Sequence, residues 1–204
     1  MQNGDEREPI TPPAGELPTA VSSSQASFRQ EVRAWTRDLL LAIGFALVII
    51  VFLYQPVKVE GTSMAPLLSD QERIFINKFV YRFEGIERGD VVVFWYPLDR
   101  SKSFIKRVIA LPGETVEIRQ GRLFVNNRPI AEPYVPEQYA DYSDFGPVRV
   151  PKDQFFVMGD HRISSNDSRI FGPVARRFIY GRAVFAYWPF EHFGTLSPTN
   201  AQNK

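Results

Sequence analysis

The residues in this chain best suited to chemistry cluster first around Ser63. It sits in Gly61-Thr62-Ser63-Met64-Ala65-Pro66-Leu67-Leu68, where glycine and proline bracket a turn. A serine exposed on such a turn is a candidate nucleophile once a base can take its proton; without one the octapeptide is only a polar turn. Cysteine is absent, so no thiolate, disulfide or cysteine-held metal enters. There are two histidines, His161 and His192, too few for a histidine zinc site. His161 lies in Gly159-Asp160-His161-Arg162, and a Ser63/His161/Asp160 triad can be drawn. Successive residues of an extended segment face opposite sides, however, so Asp160 is badly set to orient His161. No motif surrounds His192.

Lysine is the other candidate base. It works only when neutral, which requires burial or nearby positive charge to bring its pKa down from about 10.4. The chain has six lysines: Lys58, Lys78, Lys102, Lys106, Lys152 and Lys204. Strand alternation in Phe104-Ile105-Lys106-Arg107-Val108-Ile109-Ala110 puts Lys106 on one face with Phe104, Val108 and Ala110, a setting that desolvates an ammonium. Arg107 cannot be a base, since a guanidinium stays protonated. Lys78 is the rival, because Ile74, Ile76 and Val80 share its face. Either lysine can instead extend its ammonium to the surface. A last polar stretch, Met158 to Gly172, packs Asp160, Arg162, Ser164, Ser165, Ser168, Asp167 and Arg169 between apolar strands. Asp167 with Arg169, and Asp160 with Arg162, are candidate ion pairs that brace a loop.

These groups need elements to position them. Residues 1–34 read as a disordered tail with Pro9, Pro12, Pro13 and Pro18 and little apolar surface to bury; Asp5, Glu6, Glu8 and Glu16 make it a poor organelle-targeting peptide. Leu39 to Tyr54 is an uncharged apolar run, about 24 Å as a helix at 1.5 Å per residue. With Trp35 and Tyr54 as interfacial anchors and Gln55 to Val57 as an extension, residues 35–57 read as one membrane anchor. A buried helix and a cleaved leader are the alternatives, but Gln55-Pro56-Val57-Lys58-Val59 offers no small-x-small cleavage site. Arg29, Arg33 and Arg37 precede the run and only Lys58 follows closely, which places the N-terminus in the cytoplasm and the remainder outside.

From residue 58 to 195 the pattern is β. Expected strands are Arg73–Val80, Val91–Tyr96, Phe104–Leu111, Thr115–Ile118, Leu123–Val125, Phe155–Met158 and Phe178–Tyr187, separated by Gly89-Asp90, Pro112-Gly113, Gln120-Gly121 and Asn126-Asn127. Such spacing predicts antiparallel sheets, and 17 Phe, 8 Tyr and 3 Trp suit a β-rich core. Residues 129–152 read as an extended excursion from the sheet, and 196–204 as a frayed end. With 24 Lys and Arg against 23 Asp and Glu, the net charge of +1 argues against a nucleic-acid partner.

Taken in order behind one apolar run, these stretches resemble the type I signal peptidases, the bacterial serine–lysine leader peptidases, over roughly Arg37 to Trp188. Gly61 to Leu68 is similar to the family's nucleophile box and Gly89-Asp90-Val91-Val92-Val93-Phe94 to its Gly-Asp strand box. Phe104 to Glu114 resembles the lysine box, and Gly159-Asp160-His161-Arg162 with Ser165-Asn166-Asp167-Ser168-Arg169 the final box. The resemblance implies an all-β catalytic domain of antiparallel sheets preceded by a single N-terminal transmembrane helix. It implies Ser63 as nucleophile, Lys106 as general base, Ser165 as the hydroxyl that holds the lysine amine, and Asp167 with Arg169 as a structural ion pair. The implied partners are preprotein signal peptides with Ala-x-Ala-like sites and a lipid bilayer, with no metal or other cofactor. A single-pass protein of the plasma membrane is expected, with a thylakoid-type membrane also open. Three positions depart from the family's pattern: Leu67 replaces a common threonine, His161 an asparagine, and Gly61 stands where some members carry a serine that helps bind the oxyanion.

Overall fold

The computed structural model describes residues 23–196. The chain divides into two compact units, residues 1–48 and 49–204. The first holds most of helix α1 (Ser23–Leu53). This helix takes in residues that the sequence reading assigned to the tail, because no proline or glycine interrupts the chain between Pro18 and Gly44. Among its described side chains the large apolar ones from Phe28 to Ile50 include many that are exposed: Trp35 is 80% exposed and Leu40 69%. Among the described residues no helix is long and apolar enough to cross a membrane. Arg37 and Asp38 bound the apolar run on one side, and Tyr54 begins a strand on the other. The extension of the helix to Val57 does not occur, since Pro56 cannot donate within a helix and Tyr54–Lys58 pairs with a strand instead. The tail before Ser23 and the end after Leu196 lie outside the described residues.

The second unit is built from antiparallel strands: β1 (Tyr54–Lys58), β2 (Arg73–Asn77), β3 (Val91–Tyr96), β4 (Asp99–Ala110), β5 (Thr115–Arg119), β6 (Arg122–Val125), β7 (Arg128–Pro129), β8 (Phe145–Arg149), β9 (Gln154–Met158), β10 (Val174–Ala175), β11 (Ile179–Trp188) and β12 (Gly194–Thr195). The larger sheet runs β1-β2-β11-β3-β4-β9-β10, with β12 on β11, and the smaller runs β7-β6-β5-β8. The expected strand to Val80 stops at Asn77, whose side-chain oxygen accepts from the N–H groups of Phe79 and Val80 at 2.9 and 3.0 Å and turns the chain into the short helix α2 (Val80–Phe83). The excursion is not wholly outside the sheets, since β8 pairs with β5. Leu196 is not frayed: it is 8% exposed, and its N–H donates to the Val184 carbonyl at 2.9 Å.

Three features of this architecture bear on the polar residues. Strand β4 pairs with β3 through Lys106↔Val92, but with β9 only from Arg107 onward. The β9-facing edge of Ser103 to Lys106 is therefore unpaired. Arg107 pairs with Met158, the residue before Gly159, so the polar stretch after β9 starts beside β4. Between β1 and β2 the ladder closes through Val59 N–H to the Glu72 carbonyl at 2.8 Å and Gln71 N–H to the Val59 carbonyl at 2.9 Å, leaving the loop of Ser63 between them.

Candidate active site

Ser63 is held by its neighbours. Met64, Leu67 and Leu68 are 2%, 2% and 0% exposed and plug into the core with Ile74, Ile76 and Val93. Burying three large apolar side chains stabilises the loop by about 1.5–3 kcal/mol each relative to exposure, so the turn above them has little freedom. Leu67, the departure from the family's threonine, is one of these anchors. Within the turn the Ala65 N–H donates to the Thr62 carbonyl at 2.9 Å. Gly61 has φ +88, a left-handed conformation that glycine adopts without penalty, and nothing stands where its Cβ would be. Its N–H donates to Asp70 at 2.7 Å.

The Lys106 amine lies 2.7 Å from Ser63 Oγ and donates to the Ile105 carbonyl at 3.0 Å. Lys106 is 4% exposed, with its amine 5.2 Å from the centre of the Phe104 ring. Burial is the main cause that draws its pKa down to about 8, against the opposing pull of Asp167 and Asp160. Phe104 and Val108 share its face, as alternation predicts, and pack in one cluster. A bulge between Val108 and Ala110 moves Ala110 away, into the cluster of the smaller sheet. Lys78 is exposed, beyond the end of β2. The structure therefore brings Lys106, and not Lys78, to Ser63.

The other polar residues brace this pair from behind. The His161 N–H donates to the Ser63 carbonyl at 3.1 Å, and its ring Nδ1 lies 3.2 Å from the Thr62 carbonyl. Its imidazole thus grips the turn's backbone, where a triad would need it at the Ser63 hydroxyl. Asp167 and Arg169 pair at 2.9 Å, and Asp167 also accepts from the Gly159 N–H at 3.1 Å. The expected Asp160–Arg162 pair does not form. Asp160 takes Arg107 in a two-pronged pair at 2.8 and 2.6 Å, both side chains fully buried. Arg162 takes Glu132. Ser165 does not hold the lysine amine: its Oγ is buried and has no hydrogen-bond partner among the described residues. It packs instead against Gly159. A Cβ on Gly159 would run into Ser165 Oγ and the Ser63 carbonyl, so glycine is required there for space.

Sequence reasoning singled out Ser63, Lys106, Asp167 and Arg169, but it missed the role of Arg107 as the partner of Asp160, and it missed Glu132 and Gly159. The glycine lay within the final box and was legible as a point of close approach. Glu132 carried no local signal, because its partner is 30 residues away.

A cleft of about 490 Å³ opens over the pair, lined by Val59, Ser63, Met64, Val93, Ile105 and Lys106 among others. A hydroxyl touching a desolvated amine, beside such a cleft and an unpaired strand edge, can perform acyl transfer on an extended peptide. Fold and site together define an antiparallel β-sheet domain that sets a serine hydroxyl against a desolvated lysine amine.

Residues 32–188 match the family model "Signal peptidase, peptidase S26". The chain is 43% identical over 166 residues to a signal peptidase I of Bacillus amyloliquefaciens, covering 76% of this chain and 85% of that protein. It is 37% identical over 202 residues to a signal peptidase I of Leptolyngbya laminosa, covering 95% of this chain and 96% of that one. Among solved structures, a signal peptidase I of Enterococcus faecalis V583 is similar at 32% identity, with a TM-score of 0.44, over 48% of this chain and 97% of that one. The chain belongs to the signal peptidase family, peptidase S26.

Proposed function

We propose that this chain is a serine endopeptidase that removes signal peptides from exported preproteins, with Ser63 as nucleophile and Lys106 as general base. Family membership carries the activity. The observation that carries the residue assignment is the 2.7 Å contact between Ser63 Oγ and a lysine amine buried enough to be partly neutral at physiological pH. Neutral Lys106 accepts the hydroxyl proton as Ser63 Oγ attacks the scissile carbonyl. The oxyanion that forms takes the Ser63 N–H, which no acceptor occupies among the described residues. Protonated Lys106 gives its proton to the leaving amine. Neutral Lys106 then takes a proton from a water, whose attack on the Ser63 ester releases the signal peptide as its carboxylic acid; the Lys106 proton returns to Ser63 Oγ and restores the pair.

The cleaved segment lies extended along the unpaired edge of β4, adding main-chain hydrogen bonds. Shallow walls at Met64, Val93 and Ile105 favour small side chains one and three residues before the cut, as in an Ala-x-Ala motif. Helix α1 serves as a single membrane anchor with its N-terminus in the cytoplasm and the β domain outside. The uncovered apolar side chains from Leu39 to Ile50 support this, as does the placement of Arg29, Arg33 and Arg37 before them.

The test is cleavage of a preprotein bearing an Ala-x-Ala site by the detergent-solubilised chain, beside Ser63→Ala and Lys106→Ala. Cleavage after the second alanine is expected, with loss in both variants while circular dichroism stays unchanged. Cleavage that survives Lys106→Ala refutes the dyad.

A further inference from the structure

The segment between β7 and β8 has no part in the reaction described so far, yet it reaches each cation behind the nucleophile. Glu132 meets Arg162 in a two-pronged pair at 2.7 and 2.6 Å, with the two side chains 10% and 5% exposed. The Tyr134 hydroxyl donates to the same carboxylate at 2.8 Å, and its ring lies under the Arg107 guanidinium at 4.1 Å. Tyr139 packs edge-on against His161 at 4.5 Å. Asp141 pairs with Arg169 at 2.9 Å.

Glu132 and Tyr134 together bear on both sides of the turn after β9. Arg162, steadied by Glu132, sends its Nε back to the Gly159 carbonyl at 3.0 Å. Arg107, covered by Tyr134, holds Asp160. Between these two grips lies the stretch that matters to Ser63: Gly159 packs against the Ser63 carbonyl, and the His161 N–H donates to it. Arg107 also follows Lys106 directly in β4. Both members of the dyad are thus one residue or one hydrogen bond from a group that the segment clamps.

We propose that Glu132, with Tyr134, is a positioning residue for the Ser63/Lys106 pair, acting through Arg162 and the backbone of Gly159 to His161. The inference rests on the dyad assigned above. Small displacements of reacting groups are costly in rate, because a near-attack geometry holds only over a few tenths of an ångström. Loss of the clamp therefore falls on kcat, while the cleft walls that bind the peptide are untouched.

The experiment uses the full-length solubilised chain and a preprotein with an Ala-x-Ala site, comparing wild type, Glu132→Gln, Arg162→Lys, the double variant and Ser63→Ala. Glu132→Gln keeps the side chain's size and loses its charge. Arg162→Lys keeps the charge and loses both the fork and the Nε donor. Each is expected to lower kcat by about tenfold or more with KM within about twofold, measured well below its own unfolding temperature. The double variant is expected to lose no more than the worse single one, since both act through one contact. Two folded single variants with wild-type kcat overturn the inference, and so does a loss confined to KM. A loss that merely follows the unfolded fraction overturns it too. If one single variant does not fold, the other decides. Cleavage retained by Ser63→Ala would instead bring down the dyad assignment itself.

Discussion

Replacing Lys106 with methionine is expected to abolish cleavage and yet to stabilise the folded protein at neutral pH. The side chain is 4% exposed, and burial holds its amine at about 8, while in the unfolded chain it titrates near 10.4. The unfolded state therefore binds the proton more tightly, and protonation drives unfolding. The difference of roughly two and a half units, at 1.36 kcal/mol each, amounts to about 3 kcal/mol. That penalty is fully present below pH 8, fades between about 8 and 10.4, and is gone above. Methionine has a similar volume and no proton to bind. Its stability advantage over wild type should thus be larger at pH 7 than at pH 10.5 by about 3 kcal/mol. Urea unfolding of both proteins at several pH values measures this, and the difference cancels tyrosines that titrate in both.

The same pKa sets the rate. At pH 7 about a tenth of the molecules carry a neutral amine, against about one in two and a half thousand for an unperturbed lysine. In wild type, kcat/KM should climb tenfold per pH unit and level off with a midpoint near 8. A stability difference that is flat with pH, or an activity limb near pH 10, would refute the reasoning, because Lys106 would then be almost wholly charged at pH 7, where the burial argument requires a neutral fraction.

Three further outcomes are expected. Asp160→Asn leaves the Arg107 guanidinium buried without its counter-charge and should cost about 3–5 kcal/mol in urea unfolding. Gly159→Ala forces a methyl against the Ser63 carbonyl and Ser165 Oγ, so kcat should fall by about tenfold or more through displacement of the nucleophile, seen in steady-state kinetics on a preprotein. Lys78→Ala should leave cleavage intact and change stability by no more than about 0.5 kcal/mol, since the side chain is exposed; lost activity would reopen the choice of base.

The sequence by itself determined the family, the candidate nucleophile and most of the β architecture. These rest on local order. Period-two alternation set Lys106 with Phe104 and Val108, and turn residues marked where strands end. The antiparallel all-β domain followed from such signals. The transmembrane reading of residues 35–57 came from the same local order, but in the structure Tyr54–Lys58 leaves the helix for a strand.

Only the tertiary structure decided which charged group meets which. Periodicity sets both Lys106 and Lys78 on apolar strand faces and only favours Lys106, yet one lies 2.7 Å from a serine 43 residues away and the other faces solvent. Proximity in sequence suggested that Asp160 pairs with Arg162, but strand register put Asp160 against Arg107, and a long connection brought Glu132 to Arg162. Ser165 kept its place in the motif without reaching the amine. Periodicity reports which face of an element a side chain takes. Its partner there depends on how distant elements align, and for groups buried away from water that alignment decides both pKa and pairing.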